Sequence, residues 1–335
     1  MSSANYSVDI SDSAEMLISV FDTRVSAYNV GNAIIMDGVE KYLRECFPKS
    51  FFIFLPYLDS IGLQSIKHLR KSDFIFFGGT NCLSSDFRAY KQWGVDRTNV
   101  KFIKDVILMG VGWWQYQSLP TWYTRRLLGN VLHAELLHSV RDHYTANMLR
   151  NIGFQNVLVT GCPSMWMLTP EHCAGIPQYK SENVLVTLTD YNQARKLDFD
   201  FARELARHYN KLYFWCQGAG DYQYIKSSGV VVETLAPTLQ ELDQLLNSSL
   251  DIDYVGTRLH AGIRALQFRR RSIIIAIDNR AAEKGKDFNL PVIARGDLQS
   301  IVKTIKGSFQ TAVRIPIDEI NAWRAQFRHW RVGVD

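Results

Sequence analysis

The sequence lacks any hydrophobic run long enough to cross a membrane. Its longest apolar runs, FFIFLPYL and SIIIAI, are far shorter than the run of about 18 apolar residues that indicates a membrane-spanning helix. The opening segment MSSANYSVDISDSAE also lacks the basic and apolar regions of a secretory signal. We therefore expect a soluble cytoplasmic protein, with any contact at the inner face of the membrane being peripheral.

Cysteine is sparse, and no two cysteines have the spacing of metal ligands. Because the thiols are scattered and odd in number, we expect neither a metal site nor a disulfide framework. Cys162, in the segment GCPS after a predicted strand, could act as a nucleophile, but a small residue packed at a strand end is the more common role. The five cysteines are Cys46, Cys82, Cys162, Cys173 and Cys216.

The sequence has no strong excess of charge of one sign. It contains 38 Lys and Arg against 33 Asp and Glu, which gives a net charge of +5. This mild positive charge suits an anionic substrate or an anionic membrane face, and it is too small to indicate nucleic-acid binding. The sequence shows no catalytic-triad, H-E-x-x-H, P-loop or C-x-x-C motif, so protease, metalloprotease and NTPase functions have no support.

Short apolar runs alternate with helical stretches along the whole sequence, which is typical of parallel sheets covered by helices on both faces. The pattern predicts an α/β protein with two doubly wound, Rossmann-like domains whose strand ends face each other across a cleft. The predicted strands lie in MLISVFD, SFFIFLPY, FIFFGG, VILMGVG, HSVRD and NVLVTG in the first half, and in NVLVTLTD, KLYFWCQ, VVVETL, DYVG and SIIIAID in the second.

The change in composition between these two sets of strands predicts the domain boundaries. Residues 1–165 are expected to form an N-terminal domain and residues 183–315 a C-terminal domain. A segment rich in proline, glycine and polar residues makes 166–182 the linker, and 316–335 predicts a C-terminal helix that packs back on the N-terminal domain. Since only this linker and that helix join the halves, we expect the cleft to close around a ligand.

The segment YVGTRLHAGIRAL carries the most chemical information. Its apolar start predicts a buried strand, Gly256 a turn, and the residues from Ala261 onward a helix. Arg258 and His260 then lie near a helix N-terminus, where backbone N–H groups favour an anion, and the arginine adds a planar fork for phosphate or carboxylate. His260 can transfer a proton near neutral pH, although a structural histidine is the usual occupant of such a position.

Five segments, in order, resemble motifs of the polysaccharide pyruvyl transferase family, and the resemblance covers about residues 26 to 290. Two departures are notable. Position 32 is Asn where many members carry an acid, so Asn32 can bind a hydroxyl but cannot act as a base, and the glycine turn Gly78-Gly79-Thr80 is one glycine short. The segments are YNVGNAII (28–35), FIFFGGTN (74–81), SVRDHYT (139–145), VLVTGCPS (157–164) and DIDYVGTRLHAGIRAL (251–266).

The resemblance implies a GT-B-like fold and the transfer of pyruvate from phosphoenolpyruvate (PEP) onto two hydroxyls of one sugar, with release of phosphate. PEP is then a co-substrate, and no cofactor is expected. Its two anionic groups need well-placed cations, for which Arg258 and Arg141, from different domains, are the candidates. Lys284 and Lys286 could add a phosphate contact or could belong to a solvated loop. The catalytic candidates are His260, as acid or base, and Arg258.

The acceptor implied by the resemblance is a sugar in a surface polysaccharide precursor, which could be lipid-linked. The aromatic and basic segment WWQYQSLPTWYTRR (113–126) would suit sugar stacking or a membrane interface, or simply the packing of a long loop. Polar groups and glycines at predicted strand ends are the candidates for acceptor binding, namely Asn29, Asn32, Gly78, Gly79, Gln217 and Asp221.

Two other functions remain open from the sequence. One is a GT-B glycosyltransferase that uses a nucleotide sugar, in which Arg258 would bind the diphosphate. The other is a non-catalytic component of a glycan assembly complex, whose cleft would bind neither PEP nor a nucleotide. A nucleoside diphosphate would stabilise the first against heating, whereas PEP would not.

Overall fold

The predicted apolar strands form parallel sheets, and the predicted α/β fold class is confirmed in a computed structural model of the protein. The structure describes residues 16–25, 27–59 and 61–328. The two ends of the predicted domain scheme, residues 1–15 and 329–335, lie outside the described residues. In the part that is described, no helix is both long enough and apolar enough to cross a membrane.

The first half contains a parallel sheet of four strands in the order β2-β1-β3-β4, beside a parallel pair, β5 and β6. An isolated bridge between Val111 and Val140 places the pair next to β4. Strands buried on both faces read as continuous apolar runs, as the fully buried FIFFG of β3 does. The elements are β1 (Leu17–Asp22), α1 (Gly31–Cys46), β2 (Phe51–Pro56), α2 (Leu63–Lys71), β3 (Phe74–Gly78), β4 (Val106–Met109), α3 (Trp122–Val131), β5 (His138–Val140), α4 (His143–Arg150) and β6 (Val157–Val159).

The second half contains one parallel sheet of six strands in the order β9-β8-β7-β10-β11-β12. This is the strand order of a dinucleotide-binding Rossmann fold, in which the order reverses between the first and fourth strands. The elements are α5 (Pro170–Ala174), β7 (Asn183–Thr187), α6 (Arg195–His208), β8 (Leu212–Trp215), α7 (Asp221–Lys226), β9 (Glu233–Leu235), α8 (Leu239–Asn247), β10 (Ile252–Gly256), α9 (Leu259–Gln267), β11 (Ser272–Ala276), α10 (Asn279–Phe288), β12 (Val292–Ala294), α11 (Leu298–Lys306) and α12 (Ile317–Ala325).

Two local features differ from the sequence expectations. The segment predicted as an irregular linker contains the short helix α5, which begins where Thr169 accepts a hydrogen bond from the His172 backbone N–H at 3.3 Å and Pro170 fills the first helical position. The strand predicted in VVVETL is reduced to β9, and Val231 is exposed. Because β9 is an edge strand with one neighbour, β-branched residues alone do not extend it.

The two halves share one hydrophobic core rather than meeting at a linker alone. Buried residues of α1 pack with those of α8 and α9 in a single apolar cluster. Across the same interface, Arg264 of α9 contacts Asp37 of α1 at 2.7 Å, and within its own half it contacts Asp243 of α8 at 2.6 Å. Since relative domain motion is expected unless the interface is large and apolar, this core argues against the wide closing motion expected from the sequence.

Helix α12 and the turn after it pack against the first half through aromatic side chains. The Trp323 ring centroid is 6.0 Å from that of Phe76, and the Phe327 ring centroid is 5.3 Å from that of Phe47 and 5.5 Å from that of Phe74. The second half thus returns to the first at the end of the described chain.

Candidate active site

A cavity of about 450 Å³ lies where the carboxyl ends of the two sheets face each other. In each sheet it lies at the point where the strand order reverses, between β1 and β3 and between β7 and β10, as expected for ligand sites in doubly wound folds. Three basic and two acidic side chains line it together with one histidine. The polar lining comprises Tyr28, Asn29, Asn32, Thr80, Arg141, Asp190, Tyr191, Gln217, Thr257, Arg258, His260, Asp278 and Arg280.

Arg258 is held by two carboxylates. It is the N-cap residue of α9 and only 2% exposed. Its Nε donates to Asp221 Oδ2 at 3.1 Å, and its Nη2 donates to the other Asp221 oxygen and to Asp190 Oδ1, the latter at 2.9 Å. Nη1 has no hydrogen-bond partner among the described residues. Arg258 is therefore fixed in place, with Nη1 left to meet a ligand and its Nε–Nη2 fork already occupied.

Asp221 supports Arg258 instead of binding an acceptor, which corrects the sequence expectation. It lies in the first turn of α7 and is fully buried. Besides Arg258, its oxygens accept from the backbone N–H groups of Asp190, Gln217 and Gly218 at 2.8 to 3.1 Å. Burial raises the pKa of the Asp221 carboxyl, and the Arg258 guanidinium opposes that shift.

Two further arginines of the cavity resemble Arg258, because each is held through Nε by a carboxylate and has an Nη1 without a partner among the described residues. Arg141, after β5, donates from Nε to Asp142 Oδ2 at 2.9 Å and from Nη2 to the Trp113 carbonyl at 3.2 Å. Arg280, in the first turn of α10, donates from Nε to Asp278 Oδ2 at 3.0 Å. Both have an Nη1 without a partner among the described residues. Three guanidinium groups, each fixed on one side, thus share one cavity.

Tyr191 links two of these arginines. Its ring centroid is 5.1 Å from Cζ of Arg258 and 5.7 Å from Cζ of Arg280, and Arg280 Nη2 donates to its hydroxyl. Cation–π contacts of this length are attractive. Tyr191 therefore keeps the guanidinium groups apart in a defined geometry, despite their like charge.

His260 is buried in the first turn of α9, and its neutral form is favoured. Burial lowers its pKa well below the ordinary value, and the positive charges of Lys284, Arg280 and Arg141 lower it further. Its Nε2 lies 3.9 Å from the Sγ of Cys162. A neutral imidazole can accept a proton, which is the state a general base requires.

The two predicted lysines lie in different environments. Lys284 is 1% exposed and does not line the cavity. Its ammonium donates no hydrogen bond to any described residue, whereas its backbone carbonyl accepts from the Asn289 N–H at the end of α10. Burial and the neighbouring Arg141 lower its pKa to about 8. Lys286 is exposed and does not line the cavity, so the phosphate contact expected of it is not available in this structure. Only Lys284 adds its charge to the site.

The predicted polar acceptor residues line the cavity, with the exception of Asp221. Gln217 Nε2 donates to Asn29 Oδ1 at 2.8 Å, which ties the two halves together, and Asn32 Nδ2 donates to the Thr23 carbonyl at 2.6 Å. Gln217 is 4% exposed, and its Oε1 is buried without a partner among the described residues. A hydroxyl of a ligand could supply that missing donor.

Gly78 and Gly79 do not line the cavity, contrary to the sequence expectation. They lie under α1, where a Cβ on Gly79 would come within 2.1 Å of Ile35 Cγ2 and one on Gly78 within 2.8 Å of Val39 Cγ1. Gly79 also has a φ of +65°, which favours glycine. These glycines permit close helix packing, and the next residue, Thr80, reaches the cavity instead.

The sequence interpretation missed Asp190, Tyr191, Asp278 and Arg280. Each follows a strand of the second sheet, β7 or β11, on the same edge as Arg258. Their position just past the carboxyl end of a predicted strand is the signal that identifies them, because such residues share one edge of the sheet. Among the described residues, no group of three or more His, Cys, Asp or Glu side chains could hold a metal ion.

Comparison with known proteins adds family information. The family model described as polysaccharide pyruvyl transferase matches residues 29–279. No curated protein matches the sequence significantly. Among solved structures, the chain is similar to MnaA from S. aureus with UDP, at 13% sequence identity and a TM-score of 0.47. The match covers 89% of this chain and 92% of the MnaA chain. UGT89C1 from Arabidopsis thaliana, complexed with UDP-L-rhamnose, is 9% identical with a TM-score of 0.41, covering 94% of each chain.

Proposed function

Because the chain belongs to the polysaccharide pyruvyl transferase family, and is therefore a transferase of polysaccharide modification, we propose that it moves pyruvate from PEP onto two hydroxyls of one sugar. The product is a cyclic ketal on a precursor of a surface polysaccharide. Two C–O bonds form at C2 of PEP and its bond to the phosphate oxygen breaks. One hydroxyl proton becomes the third hydrogen of the methyl group, and the other leaves with phosphate.

The observation that carries this proposal is the set of three fixed guanidinium groups around one cavity, with a buried ammonium behind them. Arg141, Arg258 and Arg280 each have an Nη1 without a partner among the described residues. The nearby Lys284 ammonium forms no ion pair within 4 Å among those residues, although the charge of the Asp142 carboxylate acts on it. PEP carries a phosphate and a carboxylate, and both are recognised by arginine N–H groups. PEP would thus bind as a co-substrate whose anionic oxygens accept hydrogen bonds from the three Nη1 groups.

We assign the proton transfer to His260. Its neutral imidazole would accept the proton of the attacking sugar hydroxyl, and the same nitrogen could return a proton in a later step. The bound phosphate dianion would raise the pKa of His260, because an opposite charge favours the imidazolium form. This shift would make the neutral imidazole a stronger base toward the hydroxyl proton. Arg258 would stabilise negative charge on the departing phosphate through Nη1.

A lipid-linked acceptor is supported by an exposed surface at α3. Leu119 and Trp122 are exposed, and Arg126 lies with its Cζ 5.7 Å from the Trp122 ring centroid. Tryptophan, leucine and arginine together suit the boundary of an anionic bilayer. Sedimentation with phosphatidylglycerol vesicles should carry down the parent protein more than its Trp122→Ala variant, and equal sedimentation of both would remove the membrane contact from the proposal.

The reaction itself is tested by measuring phosphate released from PEP in the presence of a panel of glycan acceptors. The expected product gains the mass of pyruvate less one water. Thermal denaturation with PEP or with UDP is the matched binding experiment, and we expect PEP to stabilise the protein. Stabilisation by UDP alone, with no phosphate released from PEP, would favour a glycosyltransferase instead.

A further inference from the structure

The two walls of the cavity differ in chemistry. The wall contributed by the first half presents Tyr28, Ile35, Tyr57 and Leu58. The opposite wall, contributed mainly by the second half, presents the charged groups that we assign to PEP. We propose that the first wall is the acceptor subsite and that one sugar ring of the acceptor stacks on Tyr28. This inference rests on the proposed function.

Tyr28 has the properties of a free stacking platform. It is 89% exposed although it lines the cavity. Among the described residues its ring contacts neither another ring nor a cation, and its hydroxyl has no hydrogen-bond partner. An aromatic side chain offers a large rigid face to the C–H groups of a sugar at little cost in conformational entropy. In the described part of the chain, no packing contact explains why the ring of Tyr28 is presented to solvent at the cavity.

The backbone that carries Tyr28 is fixed. Asn29 forms an antiparallel bridge with Gly218 of the second half, and the Val30 N–H donates to the Gln217 carbonyl at 2.9 Å. The ring is therefore presented from an anchored turn between β1 and α1. A stacking residue on an anchored turn can set the position of a sugar, and not merely add contact area.

Polar groups line the same cavity as this platform. Gln217 lines the cavity with its Oε1 buried and unpartnered. Asn32 uses its Nδ2 on the Thr23 carbonyl, which directs its amide oxygen to other donors. A sugar ring stacked on Tyr28 would bring its hydroxyls toward these acceptors. Apolar walls with a few placed polar groups are the usual composition of a small-molecule site.

The size of the cavity limits what this subsite can hold. Its volume of about 450 Å³ lies toward the lower end of the roughly 300 to 1,000 Å³ typical of ligand sites. This is roughly the combined size of PEP and one sugar ring, so the remainder of a longer glycan would extend past Tyr28 and the exposed Leu58 into solvent.

The test compares acceptor and donor kinetics in variants of Tyr28. Tyr28→Ala should raise the acceptor KM about fivefold while leaving the Kd for PEP, measured without acceptor, unchanged. Tyr28→Phe should retain the parent KM because the aromatic face is kept. The control is Tyr179→Ala, since Tyr179 is 75% exposed but lies outside the cavity.

The subsite would be overturned if Tyr28→Ala kept an acceptor KM within twofold of the parent. It would also be overturned if the PEP affinity of this variant fell by the same factor as its acceptor KM rose. The proposed function can fail separately, if the parent releases no phosphate from PEP with any acceptor. In that case saturation-transfer NMR with methyl glycosides tests the subsite directly. Sugar signals lost in Tyr28→Ala and kept in Tyr179→Ala would support it, and signals kept in both would reject it.

Discussion

Asp221 and Arg258 form a buried two-point ion pair between α7 and the N-cap of α9, with Nε and Oδ2 3.1 Å apart. Neither side chain is more than 2% exposed. The pair joins residues 37 positions apart in the sequence. Because the carboxylate also accepts three backbone N–H groups, the orientation of Arg258 depends on a residue that does not line the cavity.

We expect Asp221→Asn to destabilise the protein and to weaken PEP binding. Removing one partner of a buried pair leaves the other charge uncompensated, which typically costs about 3 to 5 kcal/mol. Urea denaturation and PEP titration measure the two effects. The control is Asp200→Asn, which breaks the exposed pair with Arg203 and should change the free energy of unfolding by about 1 kcal/mol or less. Equal stability of the two variants would contradict the role given to Asp221.

Arg280, which the sequence interpretation did not identify, should be as important for PEP as Arg141. Arg280→Met should weaken PEP binding roughly 10- to 100-fold, because a hydrogen bond to a charged group is lost. Titration of PEP by calorimetry provides the measurement. The matched variant is Arg203→Met on α6, an exposed arginine outside the cavity, and it should bind PEP normally. Unchanged affinity in Arg280→Met would remove this arginine from the site.

Much of the fold could be predicted because parallel strands buried on both faces are continuous apolar runs, as β3 and β4 are. The sequence contains the helix-start signals of α5, an N-cap threonine at Thr169 followed by Pro170. The glycine and proline residues around them are more typical of a linker, so no helix was predicted there. Strand β9 was predicted too long because an edge position limits pairing, and the sequence does not display which strands lie at an edge.

The site was only partly predictable, for a different reason. Arg258 and His260 stand in one motif, whereas the carboxylates that hold Arg258 come from the loop after β7 and from α7. A single sequence does not record such long-range pairing. The sequence therefore predicts Asp221 as a ligand-binding residue. In the structure its contacts are with Arg258 and with backbone N–H groups, so its role is structural.

The pKa of Lys284 predicts that PEP affinity depends on pH. Because burial and Arg141 lower this pKa to about 8, the ammonium is charged at pH 7 and loses its charge as the pH rises through 8. PEP affinity should fall over that range. Lys284→Arg should abolish this decline, since arginine keeps its charge. Lys286→Ala, which removes an exposed lysine outside the cavity, should leave the pH profile as in the parent.

His138 should make the stability of the protein depend on acid pH. It lies in β5, where its Nδ1 accepts from the Leu108 N–H at 3.2 Å, and burial lowers its pKa from 6.5 to about 4. Between these values the unfolded chain binds more protons than the folded protein, so stability falls as the pH falls from about 6.5 to 4, by about 3 kcal/mol in all. Urea denaturation at several pH values gives the free energy of unfolding as a function of pH. This free energy should depend less steeply on pH in His138→Gln than in the parent, and the same dependence in both would refute the assignment.

His260 should affect turnover far more than PEP binding. A positioned proton-transfer group contributes on the order of 10² to 10⁴ in rate, so His260→Gln should lose that factor in kcat while PEP affinity and the melting transition stay near those of the parent. Glutamine can hydrogen-bond but does not take up a proton at neutral pH, which separates proton transfer from orientation of the acceptor.

The pH profile provides a second readout for His260. Because burial and the nearby cations hold its pKa well below the ordinary value, the acid limb of kcat/KM for the parent should lie below that of an unperturbed histidine. The activity should therefore hold between pH 7 and 6, where an ordinary histidine would be losing its basic form. Residual activity of His260→Gln within a few-fold of the parent would assign His260 a structural role, and the observed acid limb would then belong to another group of the cavity, for which the carboxylate of Asp190 is the next candidate.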